Sequence, residues 1–437
     1  MTTKINETKQ AAVKAVIIAV ENQQNEEIFD YKIEETKHLA EANKIKIVGS
    51  LNQKINRINS ATYFGKGKIQ QLKELVASSD ADLVISQDDL TATQIRNIEK
   101  ELSGDVHVVD RTAVILDIFA ARAKTKIAKL QVRLAQKQYQ LPRLHTSLAK
   151  ELDQQAGAGG ASFTSRGSGE TKLELNRRTL EAQISQIKKE LNDLLEAASI
   201  QSKQRQRSGL RRVAFVGYTN AGKSSWMNQM IKHFSDKVAS NADKQVFEKN
   251  MLFATLDSTV RSIRLRNNRR FLLSDTVGFV SDLPHDLVAS FKSTLDEAKN
   301  ADLLVQIVDI SDPNYHAMID TTKETLAEIG ADQIPMIMIF NKADLAGIEY
   351  PQQEGENLIA SSFDERSVEE FAKVIDQKLF ADFKKVRLLL PFDQGGLLNR
   401  LSKENDILEQ RFTEAGTEIM VELAPEQLQR YKSFLKA

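Results

Sequence analysis

The chain has 437 residues, 41% of them hydrophobic and 27% charged, and its formal net charge is zero. These proportions exclude a disordered chain, and the length exceeds one ordinary hydrophobic core, so we expect two or three domains. We expect no membrane span, because no apolar stretch approaches the ~20 residues that a bilayer requires, and no signal peptide is recognisable. Cysteine is absent, which excludes disulfides, thiolate catalysis and cysteine-ligated zinc and favours a cytoplasmic protein.

Residues 1–110 alternate between strand-like and helix-like segments. The strand-like segments are residues 14–20, 44–48, 81–86 and 106–109, and the helix-like segments are residues 34–43, 69–77 and 91–101. This alternation predicts an N-terminal parallel α/β domain. Gly65-Lys66-Gly67-Lys68 opens one of the helices without a full phosphate-loop pattern. It is either a structural or RNA-contacting turn or a second nucleotide site.

Residues 111–208 form the most basic part of the sequence. Residues 111–212 contain 20 Lys/Arg and 9 Asp/Glu, so the rest of the chain carries the balancing acidic excess. Helical patterns over residues 111–154 and 170–203, with glycine-rich stretches at residues 157–160 and 166–169 between them, predict a long basic helical hairpin. Paired basic helices can bind nucleic-acid phosphates. Charge alone also fits a solvated hairpin.

A phosphate-binding loop follows the hairpin. Residues 217–225 fit G-x-x-x-x-G-K-[ST], with a strand-like segment before them at residues 212–216 and a helix-like segment after them at residues 226–231. In this pattern Lys223 reaches the terminal phosphates as a catalytic group, and the Ser224 hydroxyl holds Mg²⁺. The predicted nucleotide-binding residues of this loop are Gly217, Tyr218, Thr219, Asn220, Ala221, Gly222, Lys223, Ser224 and Ser225.

Two further segments carry predicted switch residues. A strand ends in Asp275-Thr276-Val277-Gly278, which places a carboxylate near the metal and the Gly278 N–H, a predicted catalytic group, near the terminal phosphate. Upstream, residues 253–257 carry Phe253 and a threonine whose hydroxyl can complete the Mg²⁺ shell. We assign that role to Thr255, with Thr259 as the competitor. The predicted metal-binding residues are Ser224, Thr255 and Asp275, and the predicted nucleotide-binding residues of these two segments are Phe253, Thr255, Asp275, Thr276 and Gly278.

Position 279 raises a mechanistic question. Phe279 stands where many GTPases have a glutamine that orients the attacking water. A phenyl ring cannot do this, so we expect slow intrinsic hydrolysis unless another group or a partner completes the site. Asn220, the third predicted catalytic residue, can coordinate K⁺ beside the phosphates; its alternative role is only to shape the turn.

The base-recognition motif lies further along the chain. Asn341-Lys342-Ala343-Asp344 follows the apolar strand-like residues 336–340. Asp344 can accept hydrogen bonds from N1–H and the exocyclic amine of guanine, Asn341 can brace the loop, and the Lys342 stem can cover one ring face. Ser361 and Ser362 follow another apolar strand and can offer backbone N–H groups to the base. The predicted ligand is therefore GTP with Mg²⁺, bound by a P-loop GTPase domain over residues 209–380.

Residues 381–437 predict a small C-terminal α/β domain. Residues 386–390 and 418–423 are strand-like, and residues 396–401 and 425–435 are helical. The fold class predicted for the whole chain is thus α/β, with an N-terminal parallel α/β domain, a long helical hairpin, a P-loop GTPase domain and a small C-terminal α/β domain.

The motifs together resemble one family of GTPases. The family resemblance rests on GYTNAGKSS, LFATLD, DTVGFVSDLPHDLVASFKSTLDEA and NKAD in the GTPase domain, and on YFGKGK, VDRT, LDIFAARA, KLQVRLA and RGSGE upstream of it. In this order they are similar to the HflX branch of translation-factor-related GTPases, in which a phenylalanine after D-T-V-G is usual. The resemblance covers the chain from about residue 45 onwards.

The resemblance implies a function for the basic hairpin. It implies that the protein binds the large ribosomal subunit and ribosomal RNA in the GTP state. It also implies insertion of the hairpin near the peptidyl-transferase region, splitting of stalled or idle ribosomes, and release after hydrolysis. We expect the protein to be a monomer. Two alternatives stay open: a GTPase that assists ribosome assembly, and a nucleotide-controlled regulatory protein that binds a protein partner without RNA.

Overall fold

The computed structural model describes residues 13–23, 25–102, 106–144, 165–207, 210–234, 259–281 and 297–436. Phe253 and Thr255, and the loop glycines at residues 157–160, lie outside these ranges, and the side chains of residues 166–169 are not described. The chain divides into two compact units, the first including residues 1–200 and the second including residues 294–437. Within the described ranges, none of the helices combines the length and the apolar composition that a membrane span requires.

The first unit begins with a four-stranded sheet of order β2-β1-β3-β4, in which neighbouring strands are parallel. Its elements are β1 (Lys14–Glu21), α1 (Phe29–Ala42), β2 (Lys46–Lys54), α2 (Lys66–Ser79), β3 (Leu83–Ser86), α3 (Ala92–Glu101) and β4 (His107–Asp110). Strand β1 is central because residues 15–20 are apolar and fully covered, as a strand with helices on both faces requires. The parallel α/β prediction for this region is confirmed.

The basic hairpin begins differently from the prediction. The single helix expected over residues 111–154 is wrong within its described part, which contains α4 (Arg111–Arg122), α5 (Lys126–Gln140) and a 3-10 turn (Leu141–Arg143). Thr125 caps α5 by accepting a hydrogen bond from the Ala128 N–H at 3.1 Å, which favours a new helix at this point over continuation. Helix α4 packs on α1, where the Asn43 side chain donates to the Val114 carbonyl at 2.9 Å.

The second arm of the hairpin is α6 (Ser165–Arg207), a helix of 43 residues. It includes all of the predicted residues 170–203. Helices α5 and α6 pair through a small apolar cluster, which consists of Leu130, Leu134, Ile184, Ile187 and Leu191. Their spacing of three or four residues puts each set on one helix face. Lys126 of α5 adds an ion pair with Glu190 of α6 at 2.7 Å.

The second unit contains a seven-stranded sheet of order β10-β11-β9-β8-β5-β7-β6. Its strands are β5 (Arg211–Val216), β6 (Thr259–Arg264), β7 (Arg270–Asp275), β8 (Leu303–Asp309), β9 (Met336–Asn341), β10 (Gln352–Glu354) and β11 (Asn357–Ile359). Its helices are α7 (Lys223–Phe234), α8 (Tyr315–Ile329), α9 (Ala343–Ala346) and α10 (Glu365–Leu379). Strands β7, β5, β8, β9 and β11 are parallel, and β6 and β10 are antiparallel edges.

The core of this sheet positions the phosphate loop. Trp226 of α7 is fully buried and meets the Phe371 ring edge-on, with ring centroids 4.9 Å apart. Helix α7 is thereby fixed between the sheet and α10. In a parallel sheet of this kind, ligands bind beyond the carboxyl ends of the strands where the strand order changes direction. Strand β5 lies at such a point, since β7 lies on one side of it and β8 on the other.

The C-terminal part of the second unit is a three-stranded antiparallel sheet of order β12-β14-β13. Its elements are β12 (Lys384–Leu390), α11 (Gly395–Glu404), β13 (Ile407–Thr413), β14 (Gly416–Leu423), α12 (Pro425–Arg430) and a 3-10 turn (Lys432–Phe434). The two predicted strands are present. The prediction missed β13, and the helix expected over residues 425–435 is wrong in its second half, which forms the 3-10 turn.

Candidate functional site: a phosphate loop at the carboxyl edge of the sheet

The predicted nucleotide-binding segments meet at the carboxyl edge of the seven-stranded sheet. The phosphate loop follows β5, Asp275 ends β7, Asn341 ends β9, and Ser361 is the second residue after β11. Direct hydrogen bonds join neighbouring segments. Strand order therefore brings four separate stretches of sequence into one site.

Lys223 begins α7 and is almost fully buried, with 6% of its surface exposed. Its ammonium donates to the carbonyl oxygens of Gly217 at 2.9 Å and Tyr218 at 2.7 Å. Burial lowers the pKa of this ammonium from 10.5 to about 8, although the Asp275 carboxylate opposes the shift. A buried ammonium held only by neutral carbonyls is a strong site for the negative charge of phosphate.

Ser224 and Asp275 form the predicted metal edge of the site. The Ser224 hydroxyl donates to Asp275 Oδ2 at 2.7 Å, and Asp275 is fully buried. A hydroxyl beside a carboxylate is an oxygen donor set suited to Mg²⁺, which binds through few protein ligands together with phosphate and water. The two residues thus fit a Mg²⁺–nucleotide complex. Within the described ranges there is no group of three His, Cys, Asp or Glu side chains that could hold a metal without such help.

The D-x-x-G segment lies directly against the phosphate loop. The Thr219 N–H donates to the Phe279 carbonyl at 2.8 Å, and the Phe279 N–H donates to the Gly217 carbonyl at 3.1 Å. A Cβ atom added to Gly278 would lie 2.8 Å from Thr219 Cα and 3.0 Å from Lys223 Nζ. Only glycine permits this approach, so the Gly278 backbone lies beside the ammonium that is expected to bind phosphate.

Phe279 is 2% exposed, and its ring belongs to the interior. The Thr276 hydroxyl, also buried, donates to the Phe215 carbonyl of β5 at 2.6 Å. Neither side chain is available to orient a water molecule. Among the described residues, the buried Thr219 hydroxyl has no hydrogen-bond partner, and a bound ligand could supply one.

Asn220 and Gly222 complete the loop in left-handed backbone conformations, with φ of 62° and 101°. Asparagine tolerates this region better than most residues. Asn220 is exposed. A Cβ on Gly222 would lie 2.2 Å from the Asn341 side-chain nitrogen, so the loop and the base-recognition segment are in tight contact.

Asn341 connects the phosphate loop to the two segments expected to bind the base. Its side-chain amide donates to the Ala221 carbonyl at 2.8 Å, and its oxygen accepts from the Ser362 N–H at 3.1 Å. Asn341, Ser361 and Ser362 are all buried. Asp344 is exposed, so its carboxylate is accessible to a base. Asn341 thus links the phosphate loop to the Ser362 segment, and its contact with the base stays a prediction.

Lys342 has a left-handed φ of 62° and donates from Nζ to Asp309 Oδ2 at 2.6 Å. Sequence reasoning did not single out Asp309. A signal was present, since residues 303–308 are apolar apart from Gln306 and are followed by an acid.

Of the two threonines weighed for the metal, only the competitor is described. Thr259 begins β6 and is paired opposite Asp275 in the antiparallel ladder. The roles of Thr255 and Phe253 stay predictions, as do the ligand contacts of all the residues above.

A phosphate loop on a doubly wound sheet, joined to D-x-x-G and N-K-x-D segments, defines a P-loop GTPase. Three family models match the chain: "GTP-binding GTPase N-terminal" over residues 30–120, "GTP-binding GTPase Middle Region" over 122–205 and "50S ribosome-binding GTPase" over 212–342.

Curated relatives match most or nearly all of the chain. The GTPase HflX of Caldanaerobacter subterraneus subsp. tengcongensis is 38% identical, covering 97% of this chain and 94% of the relative. That of Alkalihalophilus pseudofirmus is 38% identical, covering 96% and 95%. That of Flavobacterium psychrophilum is 40% identical over 76% of this chain and 75% of the relative. The chain belongs to the HflX family of GTPases, as its motifs predicted.

Proposed function

We propose that this GTPase binds the large ribosomal subunit in its GTP state, splits stalled or idle ribosomes, and is released after hydrolysis. Its membership of the HflX family and the match of residues 212–342 to a model described as a 50S ribosome-binding GTPase support the proposal. The structural observation that carries it is a basic stripe on the hairpin. The domain limits stay as predicted: residues 1–110, 111–208, 209–380 and 381–437.

The basic stripe consists of Lys126, Lys129, Arg133 and Lys137, which lie three or four residues apart on α5 and so share one face. The first three are exposed. Arg133 and Lys137 also line a groove of about 320 Å³ between α5 and α6. Lys126 also pairs with Glu190 of α6, so Lys129, Arg133 and Lys137 are the cations whose spacing suits the phosphates of an RNA backbone. Such binding should weaken with added salt.

At the nucleotide site, Lys223 binds the β- and γ-phosphates, and Gly278 responds to the γ-phosphate through its N–H. Ser224, Asp275 and Thr255 hold Mg²⁺, which neutralises charge on the phosphate oxygens when bound. Asn341, Lys342 and Asp344 bind guanine together with Ser361 and Ser362. Gly278 contacts the phosphate loop directly, and this contact supports the arrangement. A change of nucleotide at the phosphate loop is then passed on to the segment that follows β7.

Hydrolysis without a partner should be slow, because the buried Phe279 ring cannot position water. We assign Asn220 to K⁺ binding, supported by its exposure at the rim of the phosphate loop. GTP hydrolysis measured with and without large subunits, in K⁺ and in Na⁺, tests both ideas. Rates should be highest with subunits and K⁺ together. Equal rates in all four conditions would contradict both partner activation and the cation role.

Splitting is tested by sucrose-gradient analysis of purified intact ribosomes incubated with the protein and GTP. We expect dissociation into subunits, and we expect replacement of Lys129 and Arg133 by glutamine to reduce it at least tenfold. The matched control replaces Lys299 and Lys323, two exposed lysines of the GTPase domain, and should split ribosomes normally.

The same gradients separate the alternatives. Intact ribosomes that stay associated, while immature large subunits bind the protein, would favour assembly. Loss of ribosome association after removal of the α5 charges would count against a regulatory protein that acts without RNA.

A further inference from the structure

Asp309 lies at the base-recognition edge of the sheet without a predicted role. It ends β8 and is paired in register with Asn341, the last residue of β9. The backbone continues this pairing, because the Ile310 N–H donates to the Asn341 carbonyl at 3.0 Å. The Asp309 carboxylate is therefore fixed relative to Asn341 by two rigid strands.

Both carboxylate oxygens of Asp309 are engaged. Oδ2 accepts from Lys342 Nζ at 2.6 Å, while Oδ1 accepts from the Ser311 N–H at 3.1 Å and from the Ser311 hydroxyl at 2.5 Å. The side chains of Asp309 and Lys342 are only 15% and 18% exposed. Exposed ion pairs contribute little to stability. This pair is largely sheltered from water and its carboxylate is held by the turn at Ser311, so it restrains the Lys342 side chain.

We propose that Asp309 is a positioning residue for guanine binding. It anchors the Lys342 ammonium, so that the lysine stem is already in position to cover one face of the guanine ring. The inference rests on the proposed guanine-binding role of Lys342 and Asp344. An unanchored lysine stem samples many rotamers, and ordering it on binding would weaken affinity. The left-handed backbone of Lys342 agrees with a residue held for function, since strained conformations of this kind cluster at ligand sites.

A double-mutant cycle tests the proposal, with GDP as the probe and dissociation constants measured by titration calorimetry. Asp309→Asn should weaken GDP binding about tenfold. Lys342→Met, which keeps an apolar stem and removes the ammonium, should weaken it by at least as much. Adding Asp309→Asn to Lys342→Met should leave the GDP dissociation constant of Lys342→Met unchanged, because the Asp309 carboxylate acts through the Lys342 ammonium. Asp312→Asn, in the same loop with its carboxylate on the Asn314 N–H, is the matched control and should bind GDP normally.

Two outcomes would overturn the inference. The first is normal GDP affinity in Asp309→Asn. The second is that Asp309→Asn weakens GDP binding by the same factor in the wild-type protein and in Lys342→Met. This result would mean that Asp309 supports the fold and does not position the lysine. The variant Asp344→Asn tests the proposed guanine site separately from the role of Asp309. If Asp344→Asn still bound GDP more tightly than xanthosine diphosphate, the guanine site itself would be refuted.

Discussion

The lowered pKa of Lys223 predicts that nucleotide binding takes up a proton. In the free protein, burial holds this pKa at about 8. Phosphate beside the ammonium favours its charged form and raises the pKa again. Well below pH 8 the lysine is already charged and affinity is full. Above pH 8 a proton must be bound first, so affinity falls as pH rises.

The size of the effect follows from the same value. Relative to low pH, affinity for GDP should be reduced about twofold at pH 8 and about tenfold at pH 9. At pH 8, half of the free molecules carry a neutral lysine, so about half a proton should be taken up per GDP bound. Titration calorimetry at pH 8 in two buffers of different ionisation enthalpy measures this uptake directly.

Lys223→Arg is the matched variant, because a guanidinium stays charged throughout this range. Ionisation of guanine itself contributes equally to both proteins, so the difference between their pH profiles isolates the lysine. Affinity that is independent of pH from 7.5 to 9, or a profile that Lys223→Arg reproduces, would refute the reasoning.

Three further substitutions test other parts of the structure. Gly278→Ala puts a methyl group 2.8 Å from Thr219 Cα, so the loop must move and GTP hydrolysis should fall at least tenfold; an unchanged rate would contradict this. Arg269→Met removes a guanidinium that pairs with Asp376 at 2.8 Å and with Glu422 of the C-terminal sheet. Urea unfolding should show that the free energy of unfolding falls by about 1–3 kcal/mol with GDP affinity unchanged. An unchanged free energy of unfolding would show that this ion pair contributes nothing to stability. Leu134→Ala, in the small cluster joining α5 to α6, should lower the free energy of unfolding by about 2–4 kcal/mol. It should also weaken ribosome binding while GDP binding persists. Undiminished ribosome binding would mean that the helix pairing is not required.

The parts of the fold that sequence predicted well are those with strong apolar patterns. β1, β5 and β9 each contain an unbroken run of apolar residues, and the phosphate loop has a strict spacing. β13 was missed because Ile407–Thr413 mixes charged and apolar residues in an exposed edge strand, where burial imposes no alternation. The break between α4 and α5 was missed because helical periodicity continues across it, although the Thr125 cap was a local signal.

Motif residues of the candidate site were predictable because each motif encodes one contact with phosphate, metal or base. What sequence could not give is how the motifs contact one another. The Asn341 bridge to Ala221 and the Asp309 anchor of Lys342 join residues 120 and 33 positions apart. Such contacts follow from strand order, which one sequence does not specify.

We propose that guanine nucleotide state controls binding to the large ribosomal subunit. Co-sedimentation of the protein with purified large subunits, in a non-hydrolysable GTP analogue and in GDP at one salt concentration, tests it directly. We predict at least tenfold tighter binding with the GTP analogue. Equal binding in the two nucleotides, or none in either, would contradict the account.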